Sequence, residues 1–237
     1  MTEPADAESV GSAGRRAPRS GFWHAVREIG IVVIAALVIS ALVRTFLIQA
    51  FWVPSGSMEQ TLMRGDRILV WKPGIDPTHG EVVVFRDPAD WLADPVPPTG
   101  IRGVLTSIGT FVGVLPSASG DDLVKRVIGV GGDTITCCSP DGRIERNGAP
   151  IDEPYVYPGD ATDQIEFSVT VPEGRLFVMG DHRSDSADSR YHLEDQDGTV
   201  PVENVVGEAK VIMWPFSRWS TLPDYADEQV AAPRVGP

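Results

Sequence analysis

The chain has 237 residues, of which 42% are hydrophobic and 22% are charged, and its formal net charge is −13. This composition is typical of a globular protein and argues against wholesale disorder and against a polytopic membrane protein. The acidic balance argues against nucleic acid as a partner, because binding to phosphates uses clustered Lys and Arg. The 24 Gly and 20 Pro residues favour short strands and turns, so the composition predicts a mainly β fold.

An apolar run follows a polar N-terminal segment. Ile29–Val43 contains no charged residue, and apolar residues continue after Arg44 to Ile48. About 20 residues with a rise of about 1.5 Å each span the core of a bilayer. We therefore predict one transmembrane helix over residues 28–49.

The charges that flank this run predict its orientation. Four arginines precede it, and positively charged residues mark the cytoplasmic side of a membrane helix. We therefore predict a cytoplasmic tail over residues 1–27 and an extracytoplasmic body that begins at residue 50, in a single-pass protein of the cell membrane. The alternative is a cleaved signal peptide, with a small-residue site at Ile48–Ala50, but the leader and the apolar run are long for one.

Short runs rich in β-branched and aromatic residues, bounded by turn residues, follow over residues 50–220. This pattern predicts an antiparallel β-sheet, and residues 221–237 read as a loose C-terminal tail. The predicted strands are Arg67–Trp71, Glu81–Phe85, Leu123–Val130, Thr134–Thr136, Arg175–Met179 and Val205–Trp214.

A segment inserted at about residues 87–121 departs from the β pattern. Its apolar residues between 101 and 115 recur with helical spacing, although glycines weaken the pattern. Two interpretations remain open, a helix that packs on the sheet core and a helix that lies in the membrane surface. The apolar residues are Ile101, Val104, Leu105, Ile108, Phe111, Val112 and Leu115.

Three polar motifs carry candidate chemistry. Pro54–Met58 places Ser57 in a loop shortly after the membrane helix. Lys125 lies within the apolar run Leu123–Gly129, where its side chain either points to solvent or is buried. Burial would lower its pKa and leave an amine able to accept a proton from a serine hydroxyl. Gly180–Arg190 is dense in short polar side chains, as expected for a buried polar network around an active site.

Together these motifs resemble the bacterial type I signal peptidases, which are membrane-anchored serine proteases that remove signal peptides from exported proteins. The resemblance covers about residues 30–216 in the family's motif order. PSGSM matches the nucleophile motif, GDRILVWK from Gly65 to Lys72 the following strand, KRVIGVGGD from Lys125 to Asp133 the base motif, and GDHRSDSADSR the last.

The resemblance implies a role for each matching residue. Ser57 would be the nucleophile and Lys125 the general base, Ser55 would donate to the oxyanion together with the Ser57 N–H, and Ser186 would orient Lys125. The remaining roles are structural or belong to substrate binding. Asp181, Asp188 and Arg190 would form a structural bracket, and Val53, Met58, Leu62 and Val124 would line pockets for small side chains.

The implied reaction is cleavage of preproteins at Ala-x-Ala-type sites at the outer face of the membrane. Signal peptides and membrane lipid are the expected partners, no cofactor or metal is required, and the oligomeric state is left open. The two cysteines, Cys137 and Cys138, lack the spacing of a zinc site, and their redox state is not predicted.

Two departures from the family pattern and two rival interpretations accompany this prediction. Gln60 stands where the family usually has Pro, and His182 stands where Asn is usual. One rival is a Ser-His-Asp hydrolase that uses His182 or His192, although the chain lacks Gly-x-Ser-x-Gly. The other is a membrane-anchored adaptor without enzymatic activity.

Overall fold

The computed structural model describes residues 20–74, 76–88, 91–92, 122–162, 164–223 and 225. The chain divides into two compact units, Met1–Ile39 and Ser40–Pro237. The predicted tail of residues 1–27 lies mostly outside the described residues. The same holds for most of the insert at residues 87–121, with its apolar stripe, and for most of the tail at residues 221–237.

Helix α1 runs over Ser20–Phe46 and covers most of the predicted membrane span of residues 28–49. Its segment Trp23–Phe46 is long and apolar enough to cross a membrane. The helix begins earlier than the predicted residue 28 and ends before residue 49, because Ile48 and Gln49 pair with a neighbouring strand. An apolar run gives no sign of the point at which a helix becomes a strand.

Twelve strands are described, and they form two antiparallel sheets. They are β1 Ile48–Trp52, β2 Arg67–Trp71, β3 Val82–Arg86, β4 Asp122–Val130, β5 Thr134–Cys137, β6 Ile144–Arg146, β7 Ala149–Pro150, β8 Phe167–Thr170, β9 Arg175–Met179, β10 Val200–Pro201, β11 Val205–Trp214 and β12 Ser220–Thr221. The larger sheet has the order β1-β2-β11-β3-β4-β9-β10, with β12 paired to β11, and the smaller has the order β7-β6-β5-β8. The predicted antiparallel β fold with one N-terminal apolar helix is confirmed.

Five short 3₁₀-helices lie in the connections of this body. They are Arg183–Asp185, Ser189–Tyr191, Gln196–Gly198, Val202–Asn204 and Phe216–Arg218. The first two belong to the predicted polar motif after β9. The chain there turns tightly between short hydrogen-bonding side chains, as Ser and Asp residues favour.

The six predicted strands are present with shifts of at most about one residue at their ends. Strands β6 to β8 were not predicted, because they are short and mix polar with apolar residues. Strand β1 was not predicted because it continues the apolar run of the helix. Cleavage after Ala50, the signal-peptide alternative, would cut within this edge strand, where Ala50 pairs with Leu69.

The core consists of three clusters of buried apolar side chains, and one of them supports the nucleophile motif. This cluster contains Phe51, Val53, Met58, Leu62, Ile68, Val70, Val82, Val84, Ala209 and Ile212. The loop that follows β1 is therefore anchored by its own apolar residues, which gives Ser57 a fixed position. The chain after β12 also contacts the body, since Leu222 packs on this cluster and Tyr225 packs on another.

Candidate active site

Ser57 lies in a tight loop directly after β1. The loop is closed by hydrogen bonds from Glu59 N to Gly56 O at 2.9 Å and from Leu62 N to Met58 O at 2.7 Å. Because Met58 and Leu62 are buried on either side of these turns, the loop is held by its core contacts. The Ser57 hydroxyl faces a buried site, and the residue is only 6% exposed.

Lys125 extends from β4 to the Ser57 hydroxyl. The distance from Lys125 Nζ to Ser57 Oγ is 2.7 Å, although 68 positions separate the residues in the chain. Lys125 is 3% exposed. Burial lowers the pKa of its ammonium group from 10.5 to about 8, against the opposing effect of the charges of Asp188 and Asp181. A substantial fraction of this amine is therefore neutral near pH 8.

Ser55 is the second serine at the site. Its Oγ lies 3.3 Å from Ser57 Oγ. Ser55 itself is exposed, so its hydroxyl can turn toward a group that enters from solvent. If Ser57 Oγ attacks a carbonyl carbon, a hydroxyl at this position is suited to donate a hydrogen bond to the carbonyl oxygen.

The polar motif after β9 builds a buried ion pair beside Lys125. Asp188 and Arg190 are both fully buried, and Arg190 Nε donates to Asp188 Oδ1 at 2.8 Å. Burial alone would raise the pKa of Asp188, but the hydrogen bonds and charge of Arg190, together with the Gly180 N–H and the charge of Lys125, hold that pKa below its usual range. Asp188 is thus an anion fixed near the lysine.

Ser186 contacts this anion. Its hydroxyl donates to Asp188 Oδ2 at 2.7 Å, and its oxygen lone pairs remain able to accept the predicted hydrogen bond from Lys125. The single hydroxyl proton goes to the carboxylate because an anion is the stronger acceptor. Gly180 permits this close packing, since a Cβ there would overlap the Ser186 side chain and the carbonyl oxygen of Ser57.

A second buried ion pair contains Arg126, the residue that follows Lys125 in β4. Arg126 is fully buried and donates to both carboxylate oxygens of Asp181, at 2.8 and 2.6 Å. The guanidinium also lies 4.1 Å from the ring centre of Tyr155. This bidentate pair joins β4 to the loop after β9.

The four residues predicted to line substrate pockets lie around the nucleophile loop and on β4. Val53, Met58 and Leu62 are buried in the core cluster beneath the loop, whereas Val124 is half-buried and packs on the same cluster. Among the residues that the structure describes, no group of three or more His, Cys, Asp or Glu side chains could hold a metal ion. Cys137 and Cys138 form a disulfide in the smaller sheet.

Comparison with known proteins identifies the family. A family model described as "Signal peptidase, peptidase S26" matches residues 26–214. The chain belongs to this signal peptidase family. The resemblance inferred from the four motifs is confirmed, and the chain is a peptidase by family.

Several relatives match the signal peptidase over most of its length. "Probable signal peptidase I" of Mycobacterium leprae is 38% identical, over 89% of this chain and 82% of the relative. "Signal peptidase I" of Mycobacterium tuberculosis is 38% identical, over 92% of this chain and 83% of the relative. "Probable signal peptidase I-2" of a Synechocystis species is 31% identical, over 92% and 85%.

The two departures from the family pattern have visible consequences in this signal peptidase. Gln60 has φ of 93°, a value that the ring of proline excludes, so the loop here follows a course that the usual Pro could not take. His182 donates its backbone N–H to Ser57 O at 3.1 Å. Its ring stacks on Tyr157 at 4.2 Å between centres and lies 3.7 Å from a carboxylate oxygen of Glu59.

Neither histidine of the rival Ser-His-Asp interpretation contacts the nucleophile through its ring. The His182 ring faces Glu59, and the His192 ring stacks on Trp91 with 4.4 Å between ring centres. Burial lowers the pKa of His192. Within the described part of the chain, the titratable side chain hydrogen-bonded to the Ser57 hydroxyl is Lys125.

Sequence reasoning missed Arg126 as a residue of the site. A signal was present, because Arg126 follows Lys125 within an apolar strand and a charged side chain in a buried strand requires a partner. That partner could not be found from the sequence alone. Asp181 lies 55 positions away and is one of several acids in its motif.

Proposed function

We propose that this signal peptidase is a serine endopeptidase in which Ser57 is the nucleophile and Lys125 is the general base. The observation that carries the proposal is the 2.7 Å contact between Lys125 Nζ and Ser57 Oγ in a site where both residues are buried. A buried lysine with a pKa of about 8 supplies the neutral amine that a base requires.

The first half of the reaction forms an acyl-enzyme. Neutral Lys125 Nζ accepts the hydroxyl proton of Ser57 while Oγ forms a bond to the scissile carbonyl carbon, and the carbonyl electron pair moves to its oxygen. When the tetrahedral intermediate collapses, the C–N bond breaks, and the Lys125 ammonium gives its proton to the leaving amine. The signal peptide is then held as an ester on Ser57.

The second half releases the signal peptide with a new carboxyl group. A water molecule gives a proton to Lys125 and attacks the ester carbon, which forms a second tetrahedral intermediate. When this intermediate collapses, the bond between the carbon and Ser57 Oγ breaks, its electron pair goes to Oγ, and Oγ takes the proton from Lys125. In both halves the negative oxygen would accept hydrogen bonds from the Ser55 hydroxyl and the Ser57 N–H. The proximity of the two serine hydroxyls supports this role for Ser55.

The buried ion pair of Asp188 and Arg190 maintains the electrostatics of the base. Its net charge is close to zero, so Lys125 is buried beside a neutralised pair, and desolvation of its ammonium prevails. Ser186 fixes the Asp188 carboxylate by its hydrogen bond. This arrangement supports an indirect role for Ser186, through the anion that faces the lysine.

The substrate would bind as an extended strand, since the sheet leaves suitable edges beside the site. Strand β1 is an edge strand, and β9 pairs with β4 only from Arg126 onward. The backbone of residues 123–125 and of residues 52–55 could therefore receive a peptide in strand geometry. The half-buried Val124 would contact the small side chains of an Ala-x-Ala site, whereas the buried Val53, Met58 and Leu62 would support that surface from the core.

The reaction would take place at the outer face of the membrane, with residues 1–27 in the cytoplasm. The arginines that precede the apolar helix support this orientation. Membrane lipid around the helix and signal peptides of exported preproteins would then be the partners. Labelling of single cysteines placed at residue 10 or residue 210, from outside intact cells, distinguishes this orientation from its opposite.

The activity is tested on the full chain in detergent. A synthetic peptide that contains an Ala-x-Ala sequence should be cleaved at the bond that follows the second Ala. Mass spectrometry of the products identifies the bond that is cut. Substituting a large residue for either Ala should slow cleavage by about 100-fold or more. Equal cleavage of both peptides would overturn the proposed specificity. Undiminished cleavage by a Ser57→Ala variant would mean that the activity comes from a contaminating protease, as the adaptor interpretation predicts.

A further inference from the structure

Thr61 lies in the nucleophile loop four positions after Ser57, and both functions of its hydroxyl are engaged. The hydroxyl donates to Asp181 Oδ2 at 2.5 Å. It accepts from Arg126 Nη2 at 2.9 Å. A threonine hydroxyl has one proton to donate, so Thr61 donates that proton to Asp181 and accepts the hydrogen bond from Arg126 with an oxygen lone pair.

The two partners of Thr61 belong to the elements that carry the other parts of the site. Arg126 follows Lys125 directly in β4. Asp181 precedes His182, whose N–H donates to the carbonyl oxygen of Ser57 at 3.1 Å. The Thr61 hydroxyl therefore connects the nucleophile loop to the strand of the base and to the loop that holds the Ser57 carbonyl.

This connection is rigid because its partners are fully buried and paired with each other. Arg126 and Asp181 have exposures of 0%, and Arg126 also donates to the carbonyl oxygen of Gly80 at 2.6 Å. A small displacement of the loop would break a hydrogen bond to a charged group, which is among the stronger hydrogen bonds in proteins.

We propose that Thr61 is a positioning residue, which through its hydroxyl sets the separation of Ser57 Oγ and Lys125 Nζ. The inference rests on the proposed roles of Ser57 and Lys125, and it adds a residue that touches neither the substrate nor the reacting atoms. Proton transfer from Ser57 to the amine depends steeply on their separation, so a displacement of about 1 Å can cost on the order of 100-fold in rate.

The Thr61 backbone has supports of its own, which makes the hydroxyl testable in isolation. Its N–H donates to Met58 O at 3.1 Å, and its carbonyl oxygen accepts from Arg218 Nη2 at 3.3 Å. Arg126 and Asp181 also keep their direct hydrogen bonds when the hydroxyl is removed. In a variant without the hydroxyl, the loop is therefore expected to stay folded but to lose its fixed position relative to β4.

The test compares Thr61→Val, which removes the hydroxyl at nearly constant shape, with Thr61→Ser, which keeps it. We expect Thr61→Val to lower kcat by about 10- to 100-fold with KM within about twofold, and Thr61→Ser to stay within about threefold of wild type. Thr170→Val is the matched control, because it removes a threonine hydroxyl from the smaller sheet, where Thr170 contacts Thr134. The control should leave both constants unchanged.

Each other result contradicts the inference. Wild-type kcat in Thr61→Val would mean that the hydroxyl positions nothing, and equal losses in the Val and Ser variants would assign the effect to the shape of the side chain. A loss of kcat that matches the fraction unfolded at the assay temperature, measured by circular dichroism, would make Thr61 only structural. Activity retained in Ser57→Ala would instead refute the proposed function itself.

Discussion

The ammonium group of Lys125 and the hydroxyl of Ser57 lie 2.7 Å apart in a site that is almost closed to solvent. Burial opposes the charge of the lysine, whereas the anions nearby stabilise it, and burial has the larger effect. The lysine therefore stays close enough to accept the serine proton and can lose its own proton near pH 8. The predictions below depend on this balance.

Ser57→Ala and Lys125→Met should each abolish cleavage. The first removes the nucleophile, and the second removes the amine that contacts it. Peptide cleavage is measured with each purified variant, whose fold is checked by circular dichroism. If either variant retained activity within about tenfold of wild type, equivalent to about 1.4 kcal/mol in activation free energy, the assignment of the dyad would be wrong.

Ser55→Ala should be less severe than either. It removes one donor to the oxyanion and leaves the Ser57 N–H, so the rate should fall by about 10² to 10³. The loss should appear in kcat, because the oxyanion exists only in the transition state and the intermediates. An unchanged kcat would remove Ser55 from the site.

The rate of cleavage should rise with pH along a limb that reports Lys125. The protonated ammonium cannot accept the serine proton, and the lysine pKa of about 8 places the midpoint of this limb near pH 8. A pH series of kcat/KM on a peptide substrate measures it. A midpoint near 10.4, the value of a free lysine, would mean that burial does not tune this base.

His182→Asn is the control for this limb. The His182 ring faces Glu59 rather than the nucleophile, so the variant should keep the lysine limb with its midpoint unchanged. If the variant were inactive at every pH, the base role would pass to histidine.

Lys125→Met should be more stable than wild type near neutral pH. The pKa of Lys125 is lowered in the folded protein, so between about pH 8 and 10.5 the unfolded chain binds more protons, and stability increases with pH in this window. Below about pH 8, the buried ammonium lowers the free energy of unfolding by up to about 3 kcal/mol, and methionine has no such penalty. Urea unfolding at pH 7 and pH 10 measures the difference, which should shrink at pH 10.

The exposed Lys210 provides the comparison for this prediction. Lys210→Met should not show the stabilisation expected for Lys125→Met at pH 7, because the Lys210 side chain is half exposed and its ammonium is not desolvated as that of Lys125 is. A Lys125→Met variant that is less stable than wild type at pH 7 would contradict the prediction, since desolvation of the ammonium would then not govern its free energy.

Asp188→Asn should destabilise the protein strongly at neutral pH. It leaves the guanidinium of Arg190 buried without its anion, which typically costs about 3–5 kcal/mol. The pKa of Asp188 is lowered in the folded protein. The contribution of its carboxylate to the free energy of unfolding is therefore complete above the unfolded pKa of about 3.9, and it is lost as the pH falls through the pKa of the folded protein. The difference in unfolding free energy between variant and wild type should therefore narrow at acid pH, and a constant difference would refute the linkage.

The sequence by itself determined the apolar helix, the antiparallel β fold and the candidate dyad. These features are local, because an apolar run, a short β-rich run between turn residues and a motif such as PSGSM can each be recognised within about ten residues. The strands Arg67–Trp71, Arg175–Met179 and Val205–Trp214 were predicted to the residue for this reason. The roles of Ser57 and Lys125 were implied by the resemblance of their motifs to the family. The change from helix to strand at Ile48 had no local signal, since both elements are apolar there.

Only the tertiary structure decided which groups meet. Lys125 reaches Ser57 because β4 and the loop after β1 converge across 68 positions, and Thr61 reaches Asp181 across 120. The sequence also could not show that Ser186 donates to Asp188, since several acids lie within its reach along the chain. Distances between side chains depend on strand pairing and core packing, and these follow from the free energy of the whole chain rather than from any short segment.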